Sequence, residues 1–494
     1  MSLTTVLEIG KSGLGVYQTA IDTTSQNIAN VNTTGYSRQQ VVLETAPTTT
    51  DYGFLLGSGV KIAAIQRYYD NLLQQQLITA QSTEGNDTTK STVLQQIQPT
   101  FNEVTTDGLG AAVSNFFGAW QDLTLNAAGS AERQTVLSRA QILVDNFHAV
   151  SSTLNSTIAT QDKSLPPLTA DISAKLKNIA QLNDQIKNTQ LVGGNTNELK
   201  DQQEQLLRDL SKQVGIVTSE PNPADGTVIV KLSTNLTGGG QTLVDGSNYA
   251  TMYTDNAGGT TTNSIYLTAA GNPPPVTNPA TDTNITATVG GPNNPANPAD
   301  NSLGVLGATL GLRDTIIPGY LAQVNALANQ IVTQVNTLHN NATNPLGAYD
   351  VNGTAGGDFF GAGVTAATIS LNITDANKIA ASSTAAAHAG SSNATAIANI
   401  QNTAFAFATG SATLSSYYDS LVSKVGLDVK SAENTATQDT AYTKQLSTLR
   451  ESNSGVSLDE ELTNLVKYQR SYQASAKLIT TASEMMDTVL GLIH

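Results

Sequence analysis

The chain has 494 residues and a formal net charge of -15, and only 13% of its residues are charged and 5% aromatic. This acidity argues against DNA or RNA as a partner, since binding by phosphate neutralisation needs clustered basic residues. The absence of cysteine excludes disulfides, thiolate metal sites and a cysteine nucleophile.

The N-terminal residues do not have the pattern of a secretion signal. Residues 1–10 contain neither a basic segment nor a continuous apolar stretch, so we expect no cleaved signal peptide. The sequence has no run of about 18 apolar residues, so we expect no membrane span and no membrane partner. An extracellular protein that needs no disulfide, or one exported unfolded, fits this composition.

The first predicted element is a helix over residues 4–30 that carries a seven-residue apolar repeat. The repeat consists of Leu7, Leu14, Ile21 and Ile28. Apolar residues at this period form a seam along one helix face, and a seam requires a partner helix. The stretch from Asn30 to Gly35 ends the helix, because asparagine and glycine tolerate the left-handed backbone that stops helices.

The middle of the chain changes from helical to strand-like patterns and back. Residues 36–43 and 60–68 are predicted to be extended, and residues 70–212 mainly helical, with Pro166 and Pro167 interrupting the helices. Short β-branched runs and glycine turns predict a β-domain at about 214–302. Helix returns over 306–338, turns and a short strand follow over 350–371, and another helix is predicted from about 395 to 449.

The last helix, predicted over residues 458–490, carries a second seven-residue repeat. Its members are Leu458, Leu465, Tyr472, Ile479 and Met486. Four residues on or beside the two seams are expected to weaken them, namely Gly10, Thr24, Gln469 and Ser483. The acidic run Asp459, Glu460 and Glu461 is explained by the preference of helix N-terminal ends for negative charge.

These elements predict a mainly α fold with an inserted β-domain, in an elongated multi-domain protein. The predicted domains are a terminal coiled coil (1–34 and 455–494), a helical bundle (35–213 and 303–454) and a β-rich outer domain (214–302). The outermost helices have to meet in space if the two seams pair.

Candidate chemistry is sparse, and we predict no catalytic, cofactor or metal site. No two of His148, His339, His388 and His494 have ligand spacing on one helix, and His339 is interpreted as a packing or capping residue. Asp350, Asn352 and Asp358 resemble a calcium loop only in part. Gly353 stands at the fourth position instead of the sixth, so a tight turn is the better interpretation.

Two terminal segments resemble a known family. Residues 27–38 read NIANVNTTGYSR and resemble the N-terminal signature of the flagellar rod, hook and hook-associated proteins. Residues 454–461 and 468–476 are similar to the C-terminal segment of that family. Residues 310–314, 328–339, 350–353 and 356–360 resemble the hook-associated protein 1 branch. Thr34 occupies a position where many relatives have proline, and residues 215–302 are not covered by the resemblance.

The resemblance implies a structural component at the junction between the flagellar hook and filament, and no enzyme. It implies type III export without a cleaved signal and an extracellular location in the flagellum. The implied partners are further copies of the chain, the hook protein, a second junction protein and an export chaperone that holds the C-terminal helix. An interdomain turn is expected at Asn30, Asn32, Gly35, Tyr36 and Arg38.

Two alternatives stay open at this point. The chain could be another axial protein such as the hook protein itself. It could also be a secreted adhesin or enzyme whose activity lies in the 214–302 insertion. We also expect the terminal helices to order only when the subunit joins the axis.

Overall fold

The computed structural model describes residues 3–51, 54–101, 108–219, 221–233, 240–255, 262–286, 304–387 and 389–491. His388, His494 and the last part of the predicted β-domain lie outside these residues. The α-helices are α1 Leu3–Ala29, α2 Asn71–Ile97, α3 Leu109–Leu125, α4 Ser130–Leu191, α5 Asn197–Gln213, α6 Gly304–Gly311, α7 Ile317–His339, α8 Ser392–Ala398, α9 Leu414–Ser454 and α10 Leu458–Gly491.

The strands are short and belong to several small antiparallel sheets. They are β1 Gln39–Thr45, β2 Thr49–Asp51, β3 Phe54–Leu56, β4 Val60–Arg67, β5 Ile216–Thr218, β6 Ile229–Leu232, β7 Thr242–Asp245, β8 Asn248–Tyr249, β9 Met252–Asp255, β10 Ser264–Leu267, β11 Thr283–Asn284, β12 Phe405–Phe407 and β13 Gly410–Ala412. The fold is therefore mainly α with an inserted β region, as predicted.

The first and last helices of the described chain run side by side in opposite directions. Gly10 of α1 faces Ile479 of α10, while Asn27 lies against Glu461 at the beginning of α10. The ladder of β1 and β4 packs beside this helix pair, with Gln39 opposite Arg67 and a bulge between Val42 and Leu43. This hairpin stands between the terminal helices and the rest of the molecule.

Helix α4 continues through its two prolines, so the predicted interruption at Pro166 and Pro167 is wrong. Its 62 residues extend for about 93 Å. A proline cannot donate to the carbonyl four residues earlier, which here belongs to Asp162. The Asn263 side chain of the β region donates to that carbonyl at 3.4 Å and to the Asp162 carboxylate at 2.7 Å. Asn263, about a hundred residues further along the chain, thus supplies the hydrogen bond to the Asp162 carbonyl that Pro166 cannot donate.

The β region packs on the C-terminal half of α4. Strands β5 to β8 form one four-stranded sheet, and β9 to β11 form a second sheet in the order β11-β10-β9. The Asn183 amide of α4 joins the helix to this region, because it donates to the carbonyls of Val228 and Gly246 at 3.0 and 2.9 Å. Side chains of both sheets, such as Val230 and Ile265, are fully buried.

The helix predicted over residues 395–449 is broken, so that prediction is wrong in its first third. The short helix α8 passes into a 3-10 turn over Asn399–Asn402, and the hairpin of β12 and β13 follows. Gly410 has a φ of 125°, a conformation that disfavours side chains with a Cβ. The Phe407 ring stacks on Tyr417 of α9 with 3.8 Å between ring centroids, so the hairpin is fixed by packing on the helix that follows.

Most buried apolar side chains belong to two separate cores. The first core joins the end of α2, α3, the first half of α4, α7 and the first half of α9, with Trp120, Phe147 and Tyr320 among its members. The second core joins the second half of α4, α5, α6 and the β sheets, with Leu176, Leu210 and Val230 among its members. None of the described helices is long and apolar enough to span a bilayer.

The predictions for Asp350 and His339 are confirmed. One Asp350 oxygen accepts from the backbone N–H groups of Asn352 and Thr354, each at 2.8 Å, which closes a tight turn. His339 is fully buried in the first core beside Trp120. Its Nε2 accepts from the Ala380 N–H at 2.9 Å, so Nδ1 carries the proton that binds the Gly357 carbonyl at 2.6 Å. Burial lowers the pKa of His339 to about 4.

Stability is expected to fall as the pH drops from about 6.5 to about 4. In this window the unfolded chain takes up a proton at His339 while the folded chain does not, so protons favour unfolding. The free energy of unfolding falls by about 3 kcal/mol over this pH window. Denaturant unfolding followed by Trp120 fluorescence at several pH values measures it. The variant His339→Gln should be less stable at pH 7 and should have a flatter pH dependence. An equal slope in both proteins would contradict the assignment.

Candidate functional site

The contact between α1 and α10 is built from small side chains. A Cβ on Gly10 would lie 2.6 Å from Cγ1 of Ile479, and one on Gly13 would lie 2.7 Å from Oγ of Ser475. Ala20 and Ala482 are also buried. Gly10, which we expected to weaken the seam, instead lets the two helices approach closely.

None of the nine predicted seam residues is fully buried, although Ile479 lies within the contact and faces Gly10. Six are only half-buried, namely Leu7, Leu14, Ile21, Ile28, Leu465 and Ile479, and Met486 is half-buried as well. Leu458 and Tyr472 are 45% and 37% exposed. Other apolar side chains of α10, including Leu462 and Val466, are also exposed. The terminal pair thus keeps much apolar surface facing outward.

Asn27 is the centre of the hydrogen-bond network at the end of α1. Its side chain is 1% exposed and uses both its donor and its acceptor groups. Nδ2 donates to the Gln39 carbonyl at 2.8 Å and to the Glu461 carboxylate at 3.0 Å, while Oδ1 accepts from the Tyr36 hydroxyl at 2.9 Å. Oδ1 also accepts from the Gln39 N–H at 3.0 Å. Asn27 therefore holds three segments of the chain at one point.

Arg38 joins the turn to the beginning of the last helix. Its Nε binds the Glu461 carboxylate at 2.7 Å, and its Nη1 binds Glu460 at 2.6 Å. The Glu461 side chain is only 2% exposed, whereas that of Glu460 is 60% exposed. The Arg38 N–H also donates to the Ser454 carbonyl at 2.8 Å. We explained this acidic run by the preference of helix N-terminal ends for negative charge. That explanation does not account for the ion pair between Glu461 and Arg38.

The predicted turn residues surround this network. Asn30 donates to the Gln26 carbonyl at 3.0 Å and accepts from the Thr33 hydroxyl at 3.1 Å, while Asn32 is exposed. Gly35 has a φ of 86°, which explains a glycine there. Burial, followed by the charges of Asp201 and Glu461, raises the pKa of Tyr36 to about 12, so its hydroxyl stays protonated and donates.

A second, buried ion cluster connects the β1–β4 hairpin to α5. Arg67 binds Asp201 at 2.9 Å and Glu204 at 2.5 Å, and all three side chains are less than 10% exposed. The Ser37 N–H donates to the other Asp201 oxygen at 2.9 Å. Burial raises the pKa of Glu204, although the Arg67 charge opposes this shift. Removing Arg67 would leave the two buried carboxylates without the cation that they share.

Arginines of α5 and α9 complete the junction and line a groove of about 420 Å³ beside the turn. Arg450 donates to the Gly35 carbonyl at 2.7 Å, and Arg208 donates to the Gln74 side chain at 2.9 Å. Burial and the charge of Arg450 lower the pKa of Arg208 to about 10. The turn is therefore held by α1, α5, α9 and α10 together.

Seven residues of this junction were missed in the sequence: Asn27 as a hub, Arg67, Asp201, Glu204, Arg208, Arg450 and Glu461 as an ion-pair partner. Asn27 and Glu461 are separated by 434 positions, and no periodicity joins them. The one usable signal is that Asn27 and Glu461 both lie inside the segments that carry the family resemblance. Within the described residues, no group of three or more His, Asp or Glu side chains could hold a metal ion.

Comparison with protein families matches this chain at three places. The family described as flagellar hook-associated protein FlgK helical domain matches residues 94–360, which is more than half of the chain. This match includes the residues of the β region that the motifs had left outside the resemblance. The flagella basal body rod protein family matches residues 7–36, and the flagellar basal body rod FlgEFG protein C-terminal family matches residues 450–492.

Individual relatives are similar over nearly their whole length. Flagellar hook-associated protein 1 of Bacillus subtilis is 27% identical, over 98% of this chain and 97% of the relative. The protein of the same name from Salmonella typhimurium is 27% identical, over 99% of this chain and 100% of the relative. The solved flagellar hook junction protein FlgK from Burkholderia pseudomallei has a TM-score of 0.64 at 16% identity, over 76% of this chain and all of that chain. At this identity the structural match supports the fold alone.

Replacing Glu461 should loosen the terminal pair. Glu461→Gln removes the buried negative charge that pairs with Arg38. We expect this change to lower the free energy of unfolding by about 1–3 kcal/mol. Glu460→Gln is the matched control, because an exposed ion pair contributes below about 1 kcal/mol. Amide hydrogen exchange in α1 and α10 should accelerate in the first variant and stay nearly unchanged in the second. Equal protection in both variants would contradict the role given to Glu461.

A side chain at Gly13 should separate α1 from α10. Gly13→Leu inserts carbon atoms where Ser475 already lies, whereas Gly15 has open space around its Cβ position. Gly15→Leu is therefore the control, and it should stabilise α1 by up to about 1 kcal/mol through helix propensity. Thermal unfolding by circular dichroism should show a lower midpoint for Gly13→Leu and an unchanged or higher one for Gly15→Leu. Equal midpoints would show that the close approach is unimportant.

Proposed function

Because the chain belongs to the flagellar hook-associated protein FlgK helical domain family, we propose that it is a structural subunit that forms the junction between the flagellar hook and filament. One observation carries the proposal. The two end segments that match the rod protein families are the paired helices α1 and α10, together with the turn after α1. The ends of the chain therefore form one unit, as an axial subunit requires.

We propose that neighbouring subunits cover the apolar flanks of the terminal pair. The exposed side chains Leu458, Leu462, Val466 and Tyr472 are each at least 37% accessible on α10. Burial of one such side chain contributes about 1.5–3 kcal/mol, so several together can drive association. The predicted seam then acts mainly between subunits, and the small residues act within one.

The turn at Asn30, Asn32, Gly35, Tyr36 and Arg38 sets the angle between the terminal pair and the helical body. Its contacts with Arg450, Asp201 and Glu461 support this role, because each comes from a different element. The domains proposed here are 1–34 with 455–494, 35–213 with 303–454, and 214–302. The β1–β4 hairpin belongs in space with the turn, since it packs between α1 and α5.

The remaining proposals concern partners and location. The chain associates with further copies of itself, with the hook protein below it and with a second junction protein above it. It reaches the outside through type III export without signal cleavage, while a chaperone holds its C-terminal helix. It has no catalytic activity. The terminal helices are the least stable part of the isolated subunit and become fully ordered on joining the axis, where their large exposed apolar surface is covered.

A strain that lacks this chain should assemble hooks without filaments, as seen by electron microscopy. Complementation with Val466→Glu should fail to restore filaments, because a carboxylate would be buried between subunits. Complementation with Ala474→Glu should restore them, since this exposed position lies on a different face of α10 from Leu458, Leu462 and Val466. Filaments of normal length in the deletion strain would contradict the proposed function. A Val466→Glu strain with normal filaments would contradict the proposed interface alone.

A further inference from the structure

The groove beside the turn carries positive charge in an acidic chain. It has a volume of about 420 Å³ and lies between the turn after α1 and the helices α2, α5 and α9. Most of its lining is polar, and the lining includes the side chains of Arg208 and Arg450. We call this recess the arginine groove. Its two cations contrast with the chain as a whole, whose formal net charge is -15.

The two guanidinium groups lie beside the same residue of the turn. A Cβ on Gly35 would lie 3.3 Å from Nη2 of Arg208, and the Gly35 carbonyl accepts from Nη2 of Arg450 at 2.7 Å. Burial and then the charge of Arg450 lower the pKa of Arg208, so the two cations repel each other. An anion close to both arginines would relieve this repulsion.

Arg450 keeps N–H groups that the subunit itself does not use. Its Nη2 donates to the Gly35 carbonyl and, at 3.3 Å, to the Ser37 hydroxyl. In the part of the chain that the structure describes, its Nε and Nη1 make no hydrogen bond and its charge forms no ion pair. The side chain is only half-buried, so a ligand in the groove can reach these N–H groups.

Arg208 is a buried cation that forms no ion pair with any described residue. It is 5% exposed and donates to two neutral glutamine side chains at 2.9 and 2.8 Å. The nearby carboxylates of Asp201 and Glu204 are both bound by Arg67, and Asp209 is exposed to solvent. The charge of Arg208 is therefore only partly offset inside the molecule.

The groove has one carboxylate among its described lining residues, and this carboxylate does not fill it. Glu451 follows Arg450 directly on α9. Side chains of adjacent helix residues do not face each other, which keeps Glu451 away from the Arg450 guanidinium. Glu451 is exposed, and it forms no ion pair within the described chain. The subunit thus supplies the cations of the groove without supplying their counter-charge.

We propose that the arginine groove binds a carboxylate side chain of a second copy of this chain. Arg450 donates its unused N–H groups to that carboxylate, and Arg208 adds its charge from the wall of the groove. Hydrogen bonds between ionised partners are stronger than neutral ones, and they are strongest in a recess that excludes water. This inference rests on the proposed function, because it places a contact between neighbouring subunits of the junction.

Two observations identify a second copy as the occupant. The chain has 39 acidic and 24 basic residues, so the surface of a neighbouring copy is predominantly acidic and complements the groove. The groove is also continuous with the apolar surface that we propose neighbours cover. Its lining ends at Gly455 and Val456, and the exposed side chain of Leu458 follows two positions later. A neighbour that lies on this surface of α10 therefore reaches the groove as well.

The first test fills the groove with a carboxylate of the subunit itself. Ser447 lines the groove three positions before Arg450 on α9, and side chains three apart on a helix are neighbours. Ser447→Glu therefore neutralises Arg450 without removing any of its contacts, and Ser447→Gln is the uncharged control of equal size. In the strain that lacks the chain, complementation with Ser447→Glu should lower the number of hooks that carry filaments about tenfold. Complementation with Ser447→Gln should restore them.

Each result of this test decides the inference. Normal filaments with Ser447→Glu, or an equal loss with Ser447→Gln, would overturn it. The thermal midpoint of purified Ser447→Glu should equal or exceed that of the unmodified chain, because the new carboxylate gains a partner. A lower midpoint would show that the groove does not accept a carboxylate. A deletion strain with normal filaments would contradict the proposed function, whereas a bare-hook deletion strain with normal Ser447→Glu filaments would overturn the groove contact alone.

The second test identifies the occupant by photo-crosslinking. The photoreactive amino acid p-benzoylphenylalanine replaces Glu451, which is exposed at the groove and forms no ion pair within the described residues. Irradiation of flagellated cells should give a product of twice the subunit mass that contains only this chain. Its cross-linked peptide should contain an aspartate or glutamate. A product with a different protein would overturn the second copy as the occupant, and no product at all would overturn docking at the groove.

Discussion

The buried carboxylate of Glu461 is the constraint on which the arrangement of the whole chain depends. It stands at the beginning of the last helix and pairs with Asn27 at the end of the first helix and with Arg38 after the turn that follows. A carboxylate that is 2% exposed needs such partners, because an unpaired charge is unstable away from water. The two ends of the chain are thereby joined where the terminal pair meets the body. The chain between the two ends leaves this point and returns to the same point.

The junction combines two kinds of interaction with different tasks. Close approach at Gly10 and Gly13 sets the distance between α1 and α10, and this contact depends on shape. The ion pairs of Arg38 and Arg67 set the orientation of the pair relative to the hairpin and α5, and these contacts depend on direction. Most large apolar residues of the pair take part in neither task, although Ile479 faces Gly10. They are left for the outer surface, which is what a subunit of an assembly needs.

Sequence patterns predicted the long helices, the β insertion and the tight turn at Asp350, since each depends on neighbouring residues. They failed where a distant partner decides the outcome. Pro166 is tolerated because Asn263 binds the carbonyl that it leaves free, and Phe405–Phe407 forms a strand because its hairpin packs on Tyr417. The inner contact of the terminal helices was also missed, because a heptad count weighs large residues and passes over glycine and serine. Glu461 was assigned a local role because its partner lies more than 400 positions away.

The antiparallel pairing of α1 with α10 also determines an order of events. Helix α1 is synthesised long before α10, so it stays without its partner until the residues up to α10 are available. Closing a loop of this length costs entropy, but the cost grows only logarithmically with length. A body that has already folded brings the two attachment points together at Arg38 and Ser454 and removes most of that cost. The contact between α1 and α10 therefore forms after the elements that bring Arg38 and Ser454 together.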